Sequence, residues 1–96
     1  MTRDSALTEL MKCKKELEEK YGILRLGVFG SVARNEADDK SDIDVVVQLD
    51  TPDLFTIAGI KYDLEDRLHK QVDVVTYNSG MNKVLKNRID KEALYV

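Results

Sequence analysis

Apolar and polar positions follow two different periods along this chain. Between Asp4 and Lys20, Leu7, Leu10, Met11 and Leu17 fall on one stripe that Tyr21 extends, and lysines and glutamates fill most of the rest. That spacing predicts an amphipathic helix, started by Asp4 or Ser5 as N-cap and ended by Gly22. Ile23–Phe29 then reads as a buried strand that stops at Gly30-Ser31. A short helical turn, Val32–Arg34, and a polar loop, Asn35–Ser41, follow. Asp42–Leu49 has the two-residue period of a strand, with Ile43, Val45, Val47 and Leu49 on one side and Asp42, Asp44, Val46 and Gln48 on the other. Thr51 is placed to cap the next helix, with Pro52 in its first turn and Leu54, Ile57, Ala58, Leu64 and Leu68 as its buried stripe. Gln71–Thr76 is a third strand, its Val72 and Val74 opposed to Asp73 and Val75. A last helix begins near Met81 or Asn82 and turns Val84, Leu85 and Ile89 inward. The apolar end, Leu94-Tyr95-Val96, is expected to dock on the sheet or on a partner.

Helices alternating with strands predict an α/β (α+β) fold, a small mixed sheet of three to four strands with helices packed on it. At 96 residues the chain is read as one domain, 1–96, with a core modest enough that a partner protein or a second copy would help its stability. A hydrophobic share of 43% with 34% charged residues is that of a globular and not a disordered chain. Fifteen basic against eighteen acidic residues leave a net charge of −3, which argues against a general nucleic-acid binder. The single cysteine, Cys13, has no internal disulfide partner and fits a reducing, cytoplasmic setting; it reads as a helix side chain near the core edge. No apolar run is long enough to span a bilayer, and the N-terminus lacks the layout of a signal peptide, so no membrane association is expected.

Candidate chemistry comes from aspartates in the wrong places. Aspartate is depleted in strands, yet Asp42, Asp44 and Asp73 all sit in valine-rich ones. Asp42 and Asp44, two apart, project to the same side. Asp73 joins them if the third strand lies beside the second. Three carboxylates on one face repel unless a cation sits among them. An all-oxygen, highly charged set suits Mg²⁺, which keeps waters and adds phosphate oxygens as ligands. Two such ions can hold the attacking and leaving oxygens of a phosphoryl displacement. Gly30-Ser31 adds a sharp turn, N–H groups able to face an anion and a hydroxyl donor, with Arg34 within reach of a phosphate. Taken alone, Asp42 and Asp44 would be the wet face of a half-exposed strand, and Gly30-Ser31 an ordinary turn. Asp38 and Asp39 read as solvated loop charges, since the glycine and closing glutamate of an EF-hand are missing. His69 is a solvated turn histidine, Tyr21 and Tyr62 are core-edge residues, and Thr76-Tyr77-Asn78 is a strand-end turn.

The run Gly30-Ser31-Val32-Ala33-Arg34 followed by Ser41-Asp42-Ile43-Asp44-Val45-Val46-Val47 resembles the signature of the polymerase-beta-like nucleotidyltransferases. The layout through Gln71-Val72-Asp73-Val74-Val75 is similar to that of the minimal nucleotidyltransferases, over nearly the whole chain. The resemblance implies that Asp42 and Asp44 ligate two Mg²⁺ ions, and that Asp73 ligates the catalytic one and orients or deprotonates the acceptor hydroxyl. It also implies that Gly30 and Ser31 hold the triphosphate and that ATP is the donor. Two positions depart from the pattern: Asn35 stands where the family commonly has glycine, and His69-Lys70-Gln71 lacks the glycine often found before the third strand. Asparagine tolerates a left-handed backbone, so the first turn is expected to survive.

The resemblance further implies an antitoxin whose partner is a helical HEPN-type toxin, adenylylated on a tyrosine hydroxyl. Two other readings stay open: a binding module that neutralises its partner by contact, and transfer to a small-molecule hydroxyl, for which no acceptor pocket is legible.

Overall fold

The computed structural model describes residues 1–96. The elements are α1 (Arg3–Tyr21), β1 (Ile23–Phe29), α2 (Gly30–Ala33), β2 (Ile43–Leu49), α3 (Leu54–Leu68), β3 (Val72–Thr76), α4 (Lys83–Glu92) and β4 (Leu94–Tyr95). The strands form one mixed sheet in the order β3-β2-β1-β4. β1 runs antiparallel to both β2 and β4, and β2 runs parallel to β3. The α/β architecture expected from the alternating periods is therefore present, with the C-terminal tip as fourth strand.

The two sides of β2 meet different helices. Ile43, Val45 and Val47 pack with Leu26, Val28 and Val72 against Ala6, Leu10, Cys13 and Leu17 of α1 and Ile60, Leu64 and Leu68 of α3. On the other side, Val46 and Phe29 pack against Ile89 of α4, bordered by Val75, Tyr77, Leu85 and Tyr95. Asp44 belongs by parity to this second side, which α4 covers only in part.

Several local expectations need correction. α1 is capped by Thr2, not by Asp4 or Ser5: Thr2 Oγ1 accepts from the Ser5 N–H at 3.1 Å and Ser5 Oγ from the Thr2 N–H at 3.0 Å. This reciprocal pair satisfies two free donors at once. Its inner stripe is Ala6, Leu10, Cys13 and Leu17, while Met11 is 65% exposed. Ala6, Cys13 and Leu17 stand four before, three after and seven after Leu10, whereas Met11 is turned about 100° away. α3 is capped by Asp53, which accepts from the Thr56 N–H at 2.9 Å, so Thr51 and Pro52 lie outside it. Leu54 and Ala58 are exposed along a groove rather than buried; Ile60, Leu64 and Leu68 carry the stripe. Tyr62 is 71% exposed, off the core edge, whereas half-buried Tyr21 donates to Asp63 Oδ2 at 2.6 Å. α4 begins after its cap Asn82 and buries Ile89, but Val84 points outward at 71% exposure.

The C-terminal tip docks on the sheet. Leu94 and Tyr95 pair with Val28 and Gly27, and the Val96 N–H donates to Leu26 O at 2.9 Å. The approach is close: a Cβ on Gly27 would stand 2.6 Å from Leu94 O.

Cys13 lies deeper than the core edge, at 1% exposure, and burial pushes its thiol above the usual range. Because only the thiolate reacts, thiol reagents should label the native protein far more slowly than the denatured one. Equal labelling rates would contradict this placement.

Candidate active site

The parallel pairing of β2 with β3 puts Asp44 directly opposite Asp73. On its other flank Asp44 is the antiparallel partner of Phe29, the residue before the β1–α2 turn. The turn then brings Gly30 against it. Gly30 has φ 71°, and a Cβ there would stand 2.2 Å from Asp44 Oδ2. Asp44, Asp73 and the Gly30-Ser31 turn thus converge because three consecutive sheet positions are in register.

The two departures from the family pattern both keep the left-handed backbone that glycine would favour. Asn35 has φ 59°, and its Oδ1 accepts from the Arg3 N–H at 3.1 Å, tying the turn to the start of α1. His69 has φ 56° and caps α3, its N–H donating to Glu65 O at 2.9 Å, with its side chain exposed as expected.

Asp44 and Asp73 share an open groove of about 510 Å³ with Phe29, Lys61, Leu85 and Arg88 among its walls. Asp42 precedes β2, is exposed, and lines a neighbouring polar pocket of about 400 Å³ with Ser41, His69 and Lys70. Burial is the main reason that the Asp44 carboxyl is held above the ordinary carboxylate range. Asp73 adds to the shift and Arg88 opposes it; Asp42 raises it further and Arg34 lowers it. No three acidic, imidazole or thiol groups stand close enough to enclose a cation by themselves.

The phosphate-facing groups expected at the turn are already engaged. The Gly30 N–H donates to Glu92 Oε2 at 3.1 Å, and Arg34 Nη1 donates to Glu92 Oε1 at 3.0 Å. Arg34 Nε also donates to Glu36 Oε2 at 3.4 Å. Ser31 is half-buried beside them. Sequence reasoning missed Glu92, Arg88 and Lys61. A signal was available for the first two: they fall at three- and four-residue steps from Leu85 and Ile89, so charge occupies the inward stripe of α4. The strand-end turn expected at Thr76-Tyr77-Asn78 lies further on: Thr76 is the last residue of β3, the Tyr77 N–H still donates to Val47 O at 2.8 Å, and the turn falls on Ser79-Gly80, where Asn78 Oδ1 accepts from the Gly80 N–H at 2.9 Å.

Residues 10–96 match the family described as the nucleotidyltransferase domain. This chain belongs to that family. Among its relatives, MJ0435 of Methanocaldococcus jannaschii, named as a candidate protein adenylyltransferase, is 46% identical over 78 residues, 80% of this chain and 83% of that protein. The protein adenylyltransferase MntA of Thermococcus cleftensis is 37% identical over 84 residues, 86% of this chain and 84% of its own. A solved structure described as a candidate minimal nucleotidyltransferase superimposes with a TM-score of 0.78 at 33% identity, covering 98% of this chain and 95% of the other. The fold also matches, at TM-score 0.70 and 21% identity over 98% of this chain and 71% of the other, a chain in the complex of tri-AMPylated Shewanella oneidensis HEPN toxin with MNT antitoxin. Of the signature residues, Asp44 lines the groove with Asp73, Gly30 lies against Asp44, and Asp42 lines the neighbouring pocket. No helix of the domain is long and apolar enough to cross a membrane.

Proposed function

We propose that this nucleotidyltransferase moves AMP from ATP to a hydroxyl on a partner protein, releasing pyrophosphate, and acts as the antitoxin of a HEPN-type toxin. The observation that carries the reading is the Asp44–Asp73 pairing beside Gly30. Two carboxylates on the floor of an open groove fit Mg²⁺, which needs only one or two from the protein and takes its remaining ligands from waters and phosphate oxygens. Asp44 and Asp73 would hold it, with Asp42 near enough to Asp44 to raise its carboxyl, and bound Mg²⁺ would supply charge neutralisation to the phosphates.

In this reading the Gly30-Ser31 turn, with Arg34 behind it, forms the phosphate end of the site. The acceptor oxygen attacks the α-phosphorus from the Asp73 side, and the bond to the bridging oxygen of pyrophosphate breaks. The acceptor proton passes to an Asp73 carboxylate oxygen, within hydrogen-bond reach in the bound state. Apolar side chains beside the groove, Leu54 at 83% and Phe55 at 92% exposure, offer the acceptor protein a surface.

A second reading, neutralisation by contact alone, is favoured by one feature: the Gly30 N–H and Arg34 already have internal partners in Glu92 and Glu36. Asparagine at both Asp42 and Asp44 separates the two. If the enzyme reading holds, the variant still binds the partner but no longer neutralises it, and the partner's intact mass stays unmodified with ATP and Mg²⁺. Full neutralisation by the variant would establish contact alone.

A further inference from the structure

The groove holds an arginine that lies outside the signature and forms no close ion pair with a carboxylate. Arg88 lies on the stripe of α4 that also carries Leu85, Ile89 and Glu92, one turn before Glu92. Leu85 and Ile89 pack toward the second core, so the same stripe carries Arg88 to the wall of the groove that contains Asp44 and Asp73. Its guanidinium carbon stands 5.9 Å from the centre of the Phe29 ring, next to the Gly30 turn. Arg88 is exposed and takes part in no ion pair within 4.0 Å, although it stands beside two carboxylates.

Arg34 is the opposite case. It pairs with Glu92 at 3.0 Å and Glu36 at 3.4 Å, and Glu92 also holds the Gly30 N–H. To grip a phosphate, Arg34 must first give up these partners. Removing it would also leave a half-buried Glu92 carboxylate short of its cation, which is costly. Arg88 needs only to fix its own rotamer. Its planar fork matches two phosphate oxygens.

We propose that Arg88 is the principal cation binding the phosphate chain of the nucleotide, while Arg34, Glu92 and the Gly30 N–H form a brace that sets the Gly-Ser turn. The proposal depends on the nucleotidyl-transfer reading and names the residue that gives that site its anion affinity. A merely structural Arg88, there to offset Asp44 and Asp73, would change stability but not the preference for phosphates.

The test measures binding of fluorescent ATP and fluorescent AMP to the full chain with Mg²⁺, alongside thermal melts, for wild type, R88K, R88Q and R34Q. Losing a charge-assisted phosphate contact should weaken ATP binding roughly tenfold or more in R88Q. AMP, with its shorter phosphate chain, should weaken less, R88K should fall between, and the melt should barely move. R34Q should lower the melting temperature and weaken ATP binding less than R88Q does. Equal or greater ATP weakening in R34Q, or unchanged ATP binding in R88Q, would overturn the assignment. Absence of ATP binding by the wild type would sink the nucleotidyl-transfer reading itself, an outcome distinct from a wild type that binds and an R88Q that binds as well.

Discussion

Asp44→Asn should lower nucleotidyl transfer by roughly a thousandfold or more and, in the absence of metal, make the domain more stable at neutral pH. The rate effect follows from the several kcal/mol that a bound metal contributes to phosphoryl transfer, at about 1.4 kcal/mol per tenfold. The stability effect follows from placement. Asp44 is half-buried and faces Asp73, and its carboxyl is held above the ordinary range by burial first and by Asp73 second. A carboxyl raised in the folded state stabilises below its unfolded value, and that contribution is lost as pH rises through the folded one. The wild type therefore pays a penalty at neutral pH that the asparagine variant escapes. The variant should therefore melt higher than the wild type at neutral pH, and the difference should shrink as pH falls into the range where the carboxyl is protonated in both states. Mg²⁺ should raise the melting temperature of the wild type and leave the variant unmoved. Melts at several pH values, with and without Mg²⁺, check this; an equal Mg²⁺ response in both proteins would count against Asp44 as a ligand.

Gly30→Ala should lower both the stability of the domain and its transfer activity. The left-handed φ of 71° costs an L-residue about 1–2 kcal/mol. The added Cβ would also lie 2.2 Å from Asp44 Oδ2 and 3.2 Å from its Cγ, so the carboxylate must turn away from its position opposite Asp73. Together these should destabilise the domain by about 1–3 kcal/mol and cut transfer even well below the melting temperature. Gly22→Ala is the matched control: φ is 70°, but nothing lies within 4 Å of the new methyl, so it should lose stability and keep activity. If both variants keep wild-type activity, the contact at Gly30 has no functional weight.

Much of this arrangement was legible in the chain. The strands stand within a residue of their expected limits because runs such as Val45-Val46-Val47 and Val72-Asp73-Val74-Val75 have no plausible helical reading. Aspartate inside such runs marks Asp44 and Asp73 in the sequence itself. Strand order was not legible from pattern, since period 2 says which side a residue faces and not which strand lies beside it. The helix caps were misplaced where several capping residues crowd together: Thr2, Asp4 and Ser5 in one case, Thr51 and Asp53 in the other. Which candidate wins depends on where packing starts the helix. Leu54, Ala58 and Val84 look like core in sequence because the helical period continues past the region that the sheet covers. Glu92 and Arg88 were overlooked because charge on a helix is read as solvent-facing by default, and only the packing of α4 on the side of the sheet that carries Phe29 and Val46 gives it a site to serve. Asp42 lies just outside the strand, facing a separate pocket, since the ladder begins at Ile43.

The most direct measurement is transfer of label from α-labelled ATP, with Mg²⁺, onto a HEPN-type partner protein, comparing the wild type with Asp44→Asn. The account predicts label on the partner with wild type and none with the variant, while both proteins bind the partner. A stable complex without label in either case, or equal label in both, would contradict the claim that the Asp44–Asp73 pair is the active site of a protein adenylyltransferase.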